Sequence, residues 1–187
     1  MVLNIKNSAK VTVQVLGLSI ATFLIFAIAM GIFGKFGETL ITLNPIFSGF
    51  FHVGIEHILY NLLLVFLFTL PAVNSQYNIR KLFWITFLLS CAYLPISLLG
   101  LTQNAVGISG TCYFLMSRFF FSNQGSLIKR ILLHSLLGFL LLGECINMMK
   151  PVSDGVAHGV HFMGIALGLI SIYIPQHLPK KIQDIIS

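Results

Sequence analysis

The sequence predicts an all-α integral membrane protein: a bundle of six transmembrane helices with an interfacial first loop. Three observations carry this. Of 187 residues, 57% are hydrophobic and 9% charged, whereas a soluble domain carries roughly 25% charged residues. Apolar runs recur at the length of about 20 residues that a helix rising 1.5 Å per residue needs to cross about 30 Å of hydrocarbon. Between them lie short segments rich in Gly, Asn, Ser, Gln or Pro. Six spans and their loops use up residues 1–187, so the chain is read as a single membrane domain with its function inside the membrane region.

The first span is read over 11–33. Lys6 and Lys10 precede it, and the apolar stretch from Val11 to Phe33 outruns the roughly 7–15 apolar residues of a secretory signal, so it is expected to remain as a span. Gly34 to Phe51 is apolar but broken by Asn44, Pro45 and Gly49, which predicts a segment that lies in the interface or re-enters it. Spans two to six are read near 52–73, 82–101, 107–121, 130–149 and 157–174.

Eleven Lys and Arg against five Asp and Glu give a net charge of +6, and topology accounts for it. Lys6, Lys10, Arg80, Lys81, Arg118, Lys129, Arg130, Lys180 and Lys181 are assigned to one side, and only Lys35 and Lys150 to the other. The positive-inside rule then puts both termini in the cytoplasm, with spans two, four and six starting at the external face. Cys91, Cys112 and Cys145 are scattered and form neither a disulfide framework nor a CxxC site; they are read as small packing residues.

A polar side chain inside a membrane helix costs free energy and is therefore a functional candidate. Span two opens with His52, Glu56, His57 and Asn61, span four with Gly107, Ser109 and Gly110, and span six with His158 and His161. All three start at one face, so His57, Asn61, Ser109 and His161 are expected at similar depth. A serine, a histidine and further donors at one depth supply a nucleophile, a general base and oxyanion donors for acyl transfer. His57 and Asn61 stand at i and i+4 on one helix face. His161, Gly164 and Gly168 form a stripe along which another helix can approach closely, and Gly107 and Gly110 bracket Ser109. Tyr113, at i+4 from Ser109, is placed to buttress the imidazole.

These residues resemble the rhomboid family of intramembrane serine proteases over spans two to six. HxxxxHxxxN appears as His52, His57 and Asn61; GxSG as Gly107, Ser109 and Gly110, continuing to Tyr113; and HxxGxxxG as His161, Gly164 and Gly168. The resemblance implies a six-helix rhomboid-like bundle in which Ser109 is the nucleophile and His161 the base. His57, Asn61 and the Ser109 backbone N–H would form the oxyanion hole, with His52 a structural companion. It also implies transmembrane protein substrates, each a single span with a helix-destabilised segment and a small residue at the cut, admitted beside span five. No cofactor, metal or nucleic acid is expected, and the location is a multi-pass protein of a bacterial inner membrane. The small size also suits a rhombosortase-like enzyme that trims C-terminal sorting tags. The chain departs from the family in two places: the Trp-Arg pair of the first loop is missing, with Trp84 elsewhere, and no acidic and glycine positions stand around Val73 to Tyr77.

Other readings of the same residues are weaker. His158 lies one turn above His161, but the glycine register favours His161 as the base. Glu56 points about 100° from His57. Asp154 sits in the loop before span six, and a Ser–His dyad is simpler than a triad. His134 and His177 are read as interfacial or solvated. His52 and His57, at i and i+5, diverge on a regular helix, and HExxH is absent, which argues against a metal site. The alternative from another class is a catalytically inactive rhomboid-like protein that binds transmembrane helices. Proteins of that kind typically lack the serine or the histidine, and both stand here.

Overall fold

The structure is a computed structural model that describes residues 4–35, 49–50, 52, 55–98, 107–122, 126–148 and 158–177. Among these, regular structure is helical and no strand occurs: α1 Ile5–Phe33, α2 Ile55–Thr69, a 3₁₀ turn Ala72–Asn74, α3 Ile79–Leu98, α4 Ser109–Ser122, α5 Leu127–Met148 and α6 His158–His177. Each predicted span carries one of the six α-helices. The expectations that rest on residues 36–48, on Lys150, on Asp154 and on Lys180 and Lys181 lie outside the described residues.

The helix ends differ from the reading for identifiable reasons. The helix α1 starts six residues before Val11 because the Asn4 side chain accepts from the Asn7 N–H at 3.1 Å, satisfying an otherwise unpaired first-turn amide. Its N-terminus is also tied to the chain beyond α2, through Asn4 N–H to the Leu70 carbonyl at 2.9 Å and Asn7 Nδ2 to the Ser75 carbonyl at 3.0 Å. Pro71 stops α2 at Thr69 rather than 73, because the residue before a proline is disfavoured in helical conformation. Its 15 residues rise about 22 Å at 1.5 Å each.

Several of the cations assigned to the cytoplasmic side are carried on helices rather than on the connecting loops. Lys6 and Lys10 ride on α1, Arg80 and Lys81 on the first turn of α3, and Lys129 and Arg130 on the first turn of α5. Arg118 is buried within α4. By length and composition, α1 alone among the described helices is sufficient to cross a membrane by itself; Ile55–Thr69 and His158–Tyr173 are shorter apolar helices.

The centre of the bundle is α4, buried along most of its length from Gly110 to Phe120. It packs most extensively on α6 and also touches α2, α3, α5 and the 3₁₀ turn, while α1 lies outside against α2 and α5 against α4 and α6. Glycines bring the α4 and α6 backbones together. A β-carbon on Gly164 would collide with the Gly110 carbonyl, and one on Gly168 with Ser117 Oγ and the Phe114 carbonyl. This is the close approach that small residues permit between membrane helices.

Polar clamps join the other helices. Ser8 Oγ lies 2.8 Å from Thr69 Oγ1 and donates to the Phe66 carbonyl at 2.5 Å, joining α1 to α2. Thr86 and Thr111 hydroxyls lie 2.7 Å apart between α3 and α4. Phe50 is buried and stacks on Phe83 at 5.8 Å, so the end of the first loop packs into the bundle beside α3. The outside is apolar, with Ile128 at 72% and Phe139 at 73% exposure on α5. Such a surface suits a hydrocarbon solvent.

Candidate active site

Ser109 is the first residue of α4, and Gly107, two residues before it, has a φ of +93°, a conformation that L side chains rarely adopt. Thr111 and Cys112 amides both find the Ile108 carbonyl, at 2.9 and 3.1 Å. As the opening residue of a helix, Ser109 carries one of the first-turn N–H groups that have no intrahelical acceptor.

Across the α4–α6 contact, Ser109 Oγ lies 2.8 Å from His161 Nε2. His161 is 7% exposed, and the Tyr113 ring stacks on its imidazole at 4.3 Å with planes 15° apart. A neutral imidazole with Nε2 unprotonated can accept the hydroxyl proton at this distance. His158 meets His161 edge-on at 5.9 Å, and Gly164 and Gly168 continue down the same helix against α4.

His57 and Asn61 approach from α2. A β-carbon on Gly107 would lie 3.1 Å from His57 Cε1, 3.3 Å from His57 Nε2 and 3.4 Å from Asn61 Nδ2. A β-carbon there would crowd both side chains, and both donors border the turn that leads into Ser109. Asn61 is 1% exposed, and among the described residues neither polar atom of its amide has a partner. A buried amide left unsatisfied costs roughly 1–3 kcal/mol, and this one borders the turn into Ser109. His52 Nδ1 lies 3.0 Å from the Phe50 carbonyl, so Nδ1 carries the proton, and its ring meets His57 edge-on at 5.1 Å. Gly110 sits under Val160, whose carbonyl oxygen would be 3.1 Å from a β-carbon there.

The family model for the Rhomboid domain matches residues 41–176, well over half of the chain. This chain belongs to the rhomboid family. Membership makes it an integral membrane protein, and either an intramembrane protease or an inactive homologue of one. No curated protein and no solved structure matches it.

The rhomboid's structure thus brings Ser109, His161, Tyr113, His57, Asn61, His52, Gly107 and Gly110 to one end of the bundle, with Gly164 and Gly168 packing α6 on α4 below them. Glu56 stays exposed on the first turn of α2. His134 is exposed on α5, with its ring stacked on Phe121 at 4.6 Å. Among the described residues, no three His, Cys, Asp or Glu side chains converge as metal ligands.

Two contributors escaped the sequence reading. Cys112 Sγ lies 3.6 Å from the Asn61 carbonyl, which ties α4 to α2 one turn from Ser109. Asn74 is fully buried and donates both amide hydrogens, to the Phe68 carbonyl and to the Leu115 carbonyl, each at 2.8 Å. It stands in the stretch from Val73 to Tyr77 where an acidic residue was sought, and an amide there bonds α2 to α4. The only signal in the sequence was a polar residue just after a helix-ending proline.

Proposed function

We propose that this rhomboid is an intramembrane serine endopeptidase that cuts single-span membrane proteins near the outer leaflet. The observation that carries the reading is the 2.8 Å separation of Ser109 Oγ and His161 Nε2. In this mechanism His161 accepts the Ser109 proton as the oxygen attacks the scissile carbonyl. The oxyanion of the tetrahedral intermediate is held by His57, Asn61 and the Ser109 N–H, donors set before the charge develops. His161 then delivers its proton to the leaving amine, and water hydrolyses the acyl-enzyme.

Tyr113, flat on the imidazole, restricts the ring to the orientation that faces Ser109, and the α4–α6 glycines fix the distance. Residues 1–187 act as one membrane domain in a bacterial inner membrane, with both termini cytoplasmic, and no cofactor takes part. Trimming of C-terminal sorting tags, as in rhombosortases, is one form this activity takes.

The test is cleavage of a model single-span substrate by detergent-purified protein, alongside labelling by a serine-directed fluorophosphonate. Wild type is expected to cleave and to label; Ser109→Ala is expected to do neither, and His161→Ala to lose cleavage with its fold intact. His158→Ala is expected to keep substantial activity. Near wild-type turnover in Ser109→Ala or His161→Ala, at matched expression, overturns the reading.

A further inference from the structure

The end of the bundle opposite Ser109 holds a cation whose charge nothing described compensates. Arg118 sits in the second half of α4 and is only 9% exposed. Its guanidinium lies over two rings, with its carbon 5.2 Å from the Tyr77 centroid and 5.9 Å from that of Phe114. The faces of the planar group are thus covered, and its hydrogen bonding is left to the edges. One edge is used: Nη1 donates to Ser171 Oγ on α6 at 2.5 Å. The Nε–H is buried and has no partner among the described residues.

A second cation shares the same ring, since Lys81 Nζ lies 5.9 Å from the Tyr77 centroid. A neutral hydroxyl and two aromatic faces stabilise a guanidinium but leave its charge in place, and a buried charge without a counter-ion is costly. The described acidic residues cannot supply it. Glu56 is on the first turn of α2 and Glu144 near the end of α5, so both belong to the Ser109 end. At the level where membrane helices end, the phosphate of an anionic lipid headgroup is an anion able to meet this charge.

We propose that Arg118 and Lys81, gathered on Tyr77, form a binding site for a phosphate oxyanion, supplied by the headgroup of an anionic phospholipid. The Nε edge of an arginine presents two parallel N–H groups, the fork that binds phosphate oxygens in pairs. Lys81 adds a point charge from α3. Occupancy would bridge α3, α4 and α6 at this end of the bundle, because Arg118 is already bonded to Ser171.

The test uses purified protein in a neutral detergent. Binding of phosphatidylglycerol, phosphatidylcholine and inorganic phosphate is measured by native mass spectrometry and by the shift in thermal unfolding. Phosphatidylglycerol is expected to bind roughly tenfold tighter than phosphatidylcholine, a preference lost in Arg118→Gln. Lys81→Gln is expected to weaken phosphatidylglycerol binding roughly fivefold, the contribution of one surface cation near anionic lipid.

If inorganic phosphate binds in an Arg118-dependent way while the two lipids bind alike, the site stands and its source is free phosphate. Wild-type protein that shows neither the lipid preference nor phosphate binding overturns the proposal, as does a preference retained in both variants. Should Arg118→Gln fail to fold, an unchanged preference in Lys81→Gln overturns it alone.

Discussion

Gly164 of α6 rests directly on the Gly110 carbonyl of α4, leaving no room for a β-carbon between the two backbones. That contact lies one turn below the pair formed by Ser109 and His161, so the approach of two glycines sets the 2.8 Å separation above it. Overpacking a tight contact costs roughly 1–3 kcal/mol. Gly164→Ala is expected to lower the thermal transition by that amount and to slow fluorophosphonate labelling of Ser109. Gly138→Ala is the control: nothing lies within 4 Å of a β-carbon there, and helix propensity favours Ala by roughly 0.5–1 kcal/mol. A neutral Gly164→Ala would show that the helices can part without consequence.

Oxyanion stabilisation is tested on α2. Loss of one donor from an oxyanion hole costs about 10²–10³ in kcat, or roughly 2.7–4 kcal/mol. Asn61→Ala is expected near or below the lower end of that range, because the remaining donors compensate in part, with His57→Ala lower still and neither as low as Ser109→Ala. Labelling of Ser109 should persist in Asn61→Ala at a reduced rate. If the activity of Asn61→Ala falls only as far as its thermal transition does, Asn61 holds helices together and takes no part in the chemistry.

Gly107→Ala combines strain with obstruction. At a φ of +93° a β-carbon costs roughly 1–2 kcal/mol, and here it would also press on His57 Cε1 at 3.1 Å. Turnover is expected to fall further than stability does, read as kcat against the midpoint of thermal unfolding. Equal losses would remove His57 from the site.

Asn74 acts at a distance from the chemistry. Asn74→Asp keeps the shape and removes the two donors that bond Phe68 and Leu115, and the expected loss of stability is about 1–3 kcal/mol. Asn74→Ala should cost a similar amount. Thermal unfolding in detergent decides, and an Asn74→Asp variant as stable as wild type would show that the two hydrogen bonds contribute nothing net.

Topology gives a test that needs no enzyme activity. Ser126, exposed between α4 and α5, is expected on the cytoplasmic side. With Cys91, Cys112 and Cys145 replaced, Ser126→Cys should react with an impermeant thiol reagent only after the cells are permeabilised. Labelling of intact cells would invert the orientation and turn Ser109 toward the cytoplasm.

Much of this protein was legible in one dimension. Hydropathy and length determine the six helices, because apolar runs in a membrane must satisfy their backbone groups internally. The order of the spans alone brings His57, Asn61, Ser109 and His161 to one depth, since alternate helices start at the same face. The glycine register at Gly164 and Gly168 also distinguishes His161 from His158 without coordinates.

Other features depend on contacts between segments far apart in sequence, where no local pattern reports the partner. The start of α1 at Ile5 is capped by Asn4 and held by bonds to Leu70 and Ser75, although the apolar run itself begins at Val11. Arg118 is counted with the cytoplasmic-side charges because charge is the strongest outward signal in a membrane sequence. Its burial depends on the Tyr77 ring, the Phe114 ring and the Ser171 hydroxyl arriving together. Asn74 looked like an ordinary turn residue until α4 brought the Leu115 carbonyl to its amide. The sequence by itself thus determined which residues share a face and a depth. Which of them touch was decided by the tertiary structure, because packing distance depends on the small residues of both partner helices at once.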